Sequence, residues 1–166
     1  RERVPGIEFG TNMIEKCAIL GKSVYLLGAK PGVAEKAAAN MKRDYPGLII
    51  CGTQDGYFKD DEPVIEMINE AAPDFLLVCL GVKMQELWMY ENADKLDVGL
   101  MAGLGGSLDV FSGETKRAPI IWQRLNLEWL YRCFEEPKRF RKIKKFPGFL
   151  MKAVRERSRI KRNGKR

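Results

Sequence analysis

A chain of 166 residues with 45% apolar content is long enough for one buried core, and its four cysteines, Cys17, Cys51, Cys79 and Cys133, are too scattered for a zinc site or a disulfide framework. There is no histidine, which excludes His-dependent triads and the usual metal triads and leaves proton transfer to carboxylates, tyrosine or lysine. The net charge of +7 is one-sided: residues 132–166 hold 15 Lys and Arg against 3 Asp and Glu, and the rest hold 14 against 19, so a mildly acidic body carries a basic end suited to an anionic partner.

In chain order, "KSVYLLGAKPGVAEKAAANMKRDYPG" (22–47) predicts a buried strand at 24–27, a glycine turn, and an alanine-rich helix from Pro31. "LIICGTQDGYF" (48–58) predicts a β-branched strand ending at Gly52 and a second turn. "DDEPVIEMINEAAPD" (60–74) has Val64, Ile65, Ile68 and Ala71 on one side and acids at its start, the pattern of an amphipathic helix. "FLLVCLG" (75–81) is the near-continuous apolar run of a strand covered on both faces. "MQELWMYENADKL" follows as a helix, and "VGLMAGLGGSLDVFSG" (98–113) as a fourth strand entering a glycine-rich loop. This β-α alternation predicts an α/β protein, a Rossmann-like parallel sheet with helices on both faces.

The texture changes at Ala118. "APIIWQRLNLEWLYRCFEEP" reads as a helix with an aromatic and aliphatic face, ended by Pro137, and beyond it come basic and Pro-Gly-broken apolar segments. The expected organisation is a Rossmann-like core at 1–117 and a C-terminal helical basic appendage at 118–166. No apolar run approaches the roughly 20 residues of a membrane-spanning helix, and no signal peptide opens the chain. Any membrane contact is therefore expected at the surface, and the reduced cysteines suit the cytoplasm.

In an open parallel sheet, ligands bind beyond the carboxyl ends of the strands. That geometry collects the segments 28–32, 52–57, 81–86 and 103–109, where Gly28, Gly52, Gly81 and Gly105 let backbone N–H groups approach a phosphate and helix N-termini add partial positive charge. A tight turn is the alternative reading of each glycine. The first loop is LGAKPG rather than GxGxxG, no acid ends the second strand, and GxxxxGK[ST] does not occur, so a dehydrogenase and a P-loop enzyme are disfavoured. Tyr57 offers a flat face to a base, and Asp109 can accept from ribose hydroxyls. Gln85 and Glu86 either open a helix or touch a ligand.

The ordered motifs "RVPG", "VYLLGAKPGVAEKAA", "YPGLIICGTQDGYF", "PDFLLVCLGVKMQELW", "GLGGSLDVFSGETKRAP" and "LEWLYRCFEEPKRFRK" resemble the WecG/TagA/CpsF glycosyltransferase family over nearly the whole chain to about Lys145. The resemblance implies an inverting transfer of N-acetylmannosamine from a UDP-sugar to undecaprenyl-diphosphate-linked N-acetylglucosamine, without a metal or other cofactor, for wall teichoic acid or another surface polysaccharide. By motif it implies catalytic roles for Arg3, Gln85, Arg132, Arg139 and Arg141, and donor contacts for Gly28, Gly52, Tyr57, Gly81, Glu86, Gly105 and Asp109. Two departures stand out: the family's PKQE reads Lys83-Met84-Gln85-Glu86 here, and Lys142 replaces an expected arginine beside Arg141. The family's proposed aspartate base lies in a segment before RVPG that this sequence does not contain.

The expected partners are a UDP-sugar, a polyprenyl-diphosphate-linked acceptor and, through the basic appendage, the anionic inner face of the cell membrane. No nucleic-acid signature is present, and homo-oligomer formation is left open. The alternative reading is a non-catalytic nucleotide-binding fragment with a basic tail for membrane or RNA.

Overall fold

The computed structural model describes residues 5–116 together with Ala118, Pro119, Ile121, Trp122, Glu128, Leu130 and Tyr131. The chain divides into two units, Arg1–Lys116 and Arg117–Arg166.

The first unit is the predicted α/β layer structure. Four strands, β1 (Ser23–Gly28), β2 (Ile49–Gln54), β3 (Phe75–Cys79) and β4 (Leu100–Gly103), form a parallel sheet in the order β2-β1-β3-β4. β3 is buried throughout and β1 almost so, whereas β2 and β4 are half-exposed edges. Burial on both faces explains why "FLLVC" has no polar alternation.

Among the described residues of this unit five helices cover the sheet: α1 (Gly6–Leu20), α2 (Val33–Asp44), α3 (Asp61–Ala71), α4 (Met84–Asn92) and α5 (Ser107–Phe111), with a 3-10 turn at Ala93–Lys95. Ile14 and Cys17 of α1, Ala34, Ala37 and Met41 of α2 and Leu108 of α5 bury one face of the sheet with Val24, Leu26 and Leu77. On the other face Val64, Ile65 and Ile68 of α3 and Trp88 of α4 pack on Tyr25, Leu27, Leu76 and Val78. The connection from β1 runs through α2 to β2 at one edge, and α3 then carries the chain back across the sheet to β3. The direction of winding thus reverses between β1 and β3, which defines the switch point of a doubly wound fold.

Two boundaries and two helices differ from the expectation, one of the helices being α5 in place of the expected glycine-rich loop after β4. β2 does not end at Gly52 but continues to Gln54. α2 starts at Val33, with Gly32 as a left-handed N-cap, so Pro31 lies before the helix. α1 was not anticipated at all; its buried positions Ile7, Gly10, Ile14 and Cys17 follow helical spacing, and Gly21 closes it in the left-handed conformation.

At the amino ends of the central strands, Asp74 joins β1 to β3. Its carboxylate accepts from the Ser23 amide (2.8 Å), the Ser23 hydroxyl (3.1 Å) and the Lys22 ammonium (2.9 Å). The Ser23 amide above all, then Lys22, holds the Asp74 carboxyl below its ordinary value of 3.8. A folded-state pKa below the unfolded one stabilises above that unfolded value, and the stabilisation is lost as pH falls through the folded value. Asp74→Asn is therefore expected to lower the melting temperature at neutral pH, with the gap to the native chain closing below about pH 3.8. A gap independent of pH in thermal melts would contradict this.

In the second unit Ile121, Trp122, Glu128, Leu130 and Tyr131 are helical. The Trp122 and Tyr131 rings lie 6.0 Å apart, tilted by 54°.

Candidate functional site at the strand carboxyl ends

The loops after β1, β2, β3 and β4 are joined to one another by short backbone contacts. Gly28 has φ +124°, and a Cβ there would lie 2.4 Å from both the carbonyl carbon and oxygen of Cys79. Only glycine allows β1 and β3 to run this close at the switch point. The next residue, Ala29, donates its N–H to the Cys79 carbonyl (3.1 Å) and accepts from Gly56 N–H (2.9 Å). Gly56 in turn sits against Leu80 and the Gly28 Cα. The loop after β2 therefore lies on the loops after β1 and β3.

That loop presents Tyr57. Asp55 Oδ1 accepts from the Tyr57 amide (2.8 Å), an Asx-type turn, and Phe58 packs edge-on against Trp88 with centroids 6.3 Å apart. With the backbone held and Phe58 turned inward, the Tyr57 ring is 70% exposed. It is placed as a stacking platform would be, though the same exposure costs it packing.

Glu86 opens α4 as the N3 residue of a capping box, while Gln85 reaches beyond its own helix. Gln85, the second residue of α4, is only 4% exposed. Its Oε1 accepts from Gly105 N–H (2.8 Å) and its Nε2 donates to Glu86 Oε1 (3.0 Å). Glu86 Oε2 accepts from Lys83 N–H (2.8 Å). Lys83 stands at φ +75°, ψ −37°, outside the regions that side-chain-bearing residues favour. The Glu86 carboxyl is held below its ordinary value by the backbone N–H of Glu86 itself first, then by Gln85. Thus Gln85 links the β3–α4 loop to the β4–α5 loop, and the Gly105 N–H, expected to approach a phosphate, is already donated to it. Gly52, also expected there, lies within β2 under the Tyr25 ring.

Gly81 (φ +94°) accepts at its carbonyl from Gln85 N–H (3.1 Å), closing the first turn into α4. Asp109 is half-buried in α5; its carbonyl accepts from Thr115 N–H (2.9 Å), and one carboxylate oxygen lies 3.3 Å from where a Gly106 Cβ would be. Cys79 ends β3 beside these loops, but burial pushes its thiol up to about 12 despite the backbone N–H groups of Leu108, Ser107 and Leu104. It is a protonated core residue at neutral pH and no nucleophile. Among the described residues no cluster of three or more Cys, Asp or Glu could hold a metal ion. Arg3, Arg132, Arg139 and Arg141 lie outside the described residues.

The structure therefore brings Gly28, Tyr57, Gly81, Gln85, Glu86, Gly105 and Asp109 to the carboxyl end of one parallel sheet, around a β1/β3 switch point. This defines an α/β protein of the doubly wound class, a fold whose ligands characteristically bind at that edge. The chain belongs to the Glycosyl transferase WecG/TagA/CpsF family, whose model matches residues 1–163. It is 36% identical over 150 residues to the N-acetylglucosaminyldiphosphoundecaprenol N-acetyl-beta-D-mannosaminyltransferase of Bacillus spizizenii, a match covering 90% of this chain and 58% of that protein. The protein of the same name from Staphylococcus aureus strain MW2 is 34% identical over 160 residues, covering 96% of this chain and 63% of the relative. The chain thus spans about three fifths of the length of these relatives. Among the described residues no helix is long and apolar enough to cross a membrane.

Proposed function

We propose that this chain forms the greater part of an inverting hexosyltransferase. It moves N-acetylmannosamine, or a related sugar, from UDP to an undecaprenyl-diphosphate-linked N-acetylglucosamine at the inner face of the bacterial membrane. The product serves wall teichoic acid or another surface polysaccharide. The observation that carries this reading is the match to named mannosaminyltransferases along 90% or more of the chain. The switch-point edge with Tyr57 exposed beside it supports a nucleotide-sugar as the donor.

In the reaction an acceptor hydroxyl attacks the anomeric carbon, the carbon–oxygen bond to UDP breaks, and negative charge develops on the β-phosphate. Stabilising that charge falls to cations and oriented N–H groups of the protein. Arg132, Arg139 and Arg141 suit this role, because a guanidinium is always charged and matches phosphate bidentately. The further basic residues of the tail would rest on anionic headgroups. The proton of the attacking hydroxyl goes to a carboxylate base, as the resemblance implies.

The test is acceptor-dependent UDP release from UDP-N-acetylmannosamine, measured for this chain and for one extended upstream of Arg1. If neither chain releases UDP from any UDP-sugar when the lipid-diphosphate acceptor is added, the transferase reading fails and the non-catalytic one stands. In the active form, Arg132→Ala and Arg139→Ala are expected to lower turnover at least about tenfold with an unchanged melting temperature; equal turnover would remove these arginines from the mechanism.

A further inference from the structure

We propose that Glu86 is a positioning residue: acting through Gln85, it sets the backbone of the loop after β4 that begins at Gly105. The argument rests on the polarity of a chain of hydrogen bonds. Lys83 N–H donates to Glu86 Oε2 (2.8 Å), Gln85 Nε2 donates to Glu86 Oε1 (3.0 Å), and Gly105 N–H donates to Gln85 Oε1 (2.8 Å). A carboxylate only accepts and a backbone N–H only donates. Between those two ends the Gln85 amide has one orientation that satisfies both of its contacts.

The surroundings leave it little freedom. Gln85 is 4% exposed, so solvent does not readily replace a lost partner. On the sheet side, a Cβ at Gly103 would come within 2.8 Å of Gln85 Nε2 and 2.9 Å of the Met89 methyl, so the amide already fills the space above β4. Gly105 itself stands at φ +56°, a conformation open to glycine, and its N–H is given to Gln85. The same carboxylate secures the unusual backbone of Lys83. One exposed acid thus couples two loops that belong to the donor edge, the β3–α4 turn and the β4–α5 turn.

Glu86→Gln breaks this polarity while keeping size. A carboxamide that still accepts from Lys83 N–H turns its NH2 toward the Gln85 NH2, and two donors then face each other. If Gln85 turns over to relieve this, its NH2 meets Gly105 N–H. If the new carboxamide instead gives its oxygen to Gln85, its NH2 faces Lys83 N–H, so every arrangement loses one hydrogen bond of the chain.

The test is amide hydrogen exchange on the 15N-labelled chain, read at Gly105 and at the fully buried Leu77 of β3. Glu86→Gln is expected to speed Gly105 exchange roughly tenfold while Leu77 stays within about twofold. Gln85→Leu is expected to do the same, and adding Glu86→Gln to it is expected to change Gly105 no further. Unchanged Gly105 exchange in Glu86→Gln, equal acceleration of Leu77, or additive effects in the double variant would each overturn the proposal. Its catalytic meaning rests on the transferase reading, and a second arm separates the two: in the active form Glu86→Gln is expected to raise the donor KM more than it lowers kcat. UDP release that fails in the native protein as well would sink that reading and leave the exchange result standing.

Discussion

Gly28→Ala is expected to cost about 3 to 5 kcal/mol of stability, a large part of the 5–15 kcal/mol typical of a whole domain. Three contributions add at this position. The residue stands at φ +124°, a conformation that an alanine rarely adopts. Its new methyl would lie 2.4 Å from the Cys79 carbonyl atoms, against the 3.5–4.0 Å or so that carbon contacts prefer. β3 has no room to retreat, because it is fully buried and paired with β4 on its other side. If the strands part instead, the Ala29 N–H to Cys79 carbonyl bond goes with them. Urea unfolding checks the figure; a loss below about 1 kcal/mol would mean that β1 and β3 are not this close at the switch point. A functional consequence comes with the structural one, since Ala29 also holds Gly56 and through it the Tyr57 loop.

How much of this was legible in the sequence depends on whether the determinant is local. The β3 run "FLLVC", the amphipathic α3 and the strand-helix alternation carry their own periodicity, and the parallel sheet with two covered faces followed from them. α1 escaped because Gly6 and Gly10 argue locally against a helix; Gly10 is there because a Cβ would stand 2.8 Å from Leu104, a residue more than ninety positions away. The same limit applies at the site. Topology placed the four loops together, as the β-α pattern implied, but the inward turn of Gln85 toward Gly105 depends on a contact across 20 residues. The sequence offers Gly28, Gly52, Gly81 and Gly105 as openings for phosphate or as tight turns, whereas Gly28 and Gly52 are small because protein atoms approach them. The appendage arginines were suggested by charge and by motif alone.

Gly52→Ala is expected to cost about 2 to 3 kcal/mol, and for a reason unlike that at Gly28. Gly52 has an ordinary strand backbone, so its conformation is open to alanine. The obstacle is the ring of Tyr25 on the neighbouring strand: an added Cβ would lie 2.3 Å from Cε2 and 2.7 Å from Cδ2. That ring is 3% exposed, in a cluster with Leu27, Val64, Ile65 and Ile68, and has no free volume to turn into. The register confirms how closely the strands are fitted, since Val24 pairs with Ile50 and Tyr25 with Gly52, leaving Cys51 as an extra residue in β2. If the clash is the cause, Tyr25→Val should lower the cost of Gly52→Ala by about 1 kcal/mol or more, a coupling that a double-mutant cycle measures directly. Additive losses would point instead to the strand backbone. On the proposed transferase reading, β2 runs on to Gln54 and into the Gly56 and Tyr57 loop, so a displaced β2 should also weaken donor binding in the active form. Donor affinity is then expected to fall in Gly52→Ala and to recover in part when Tyr25→Val is added.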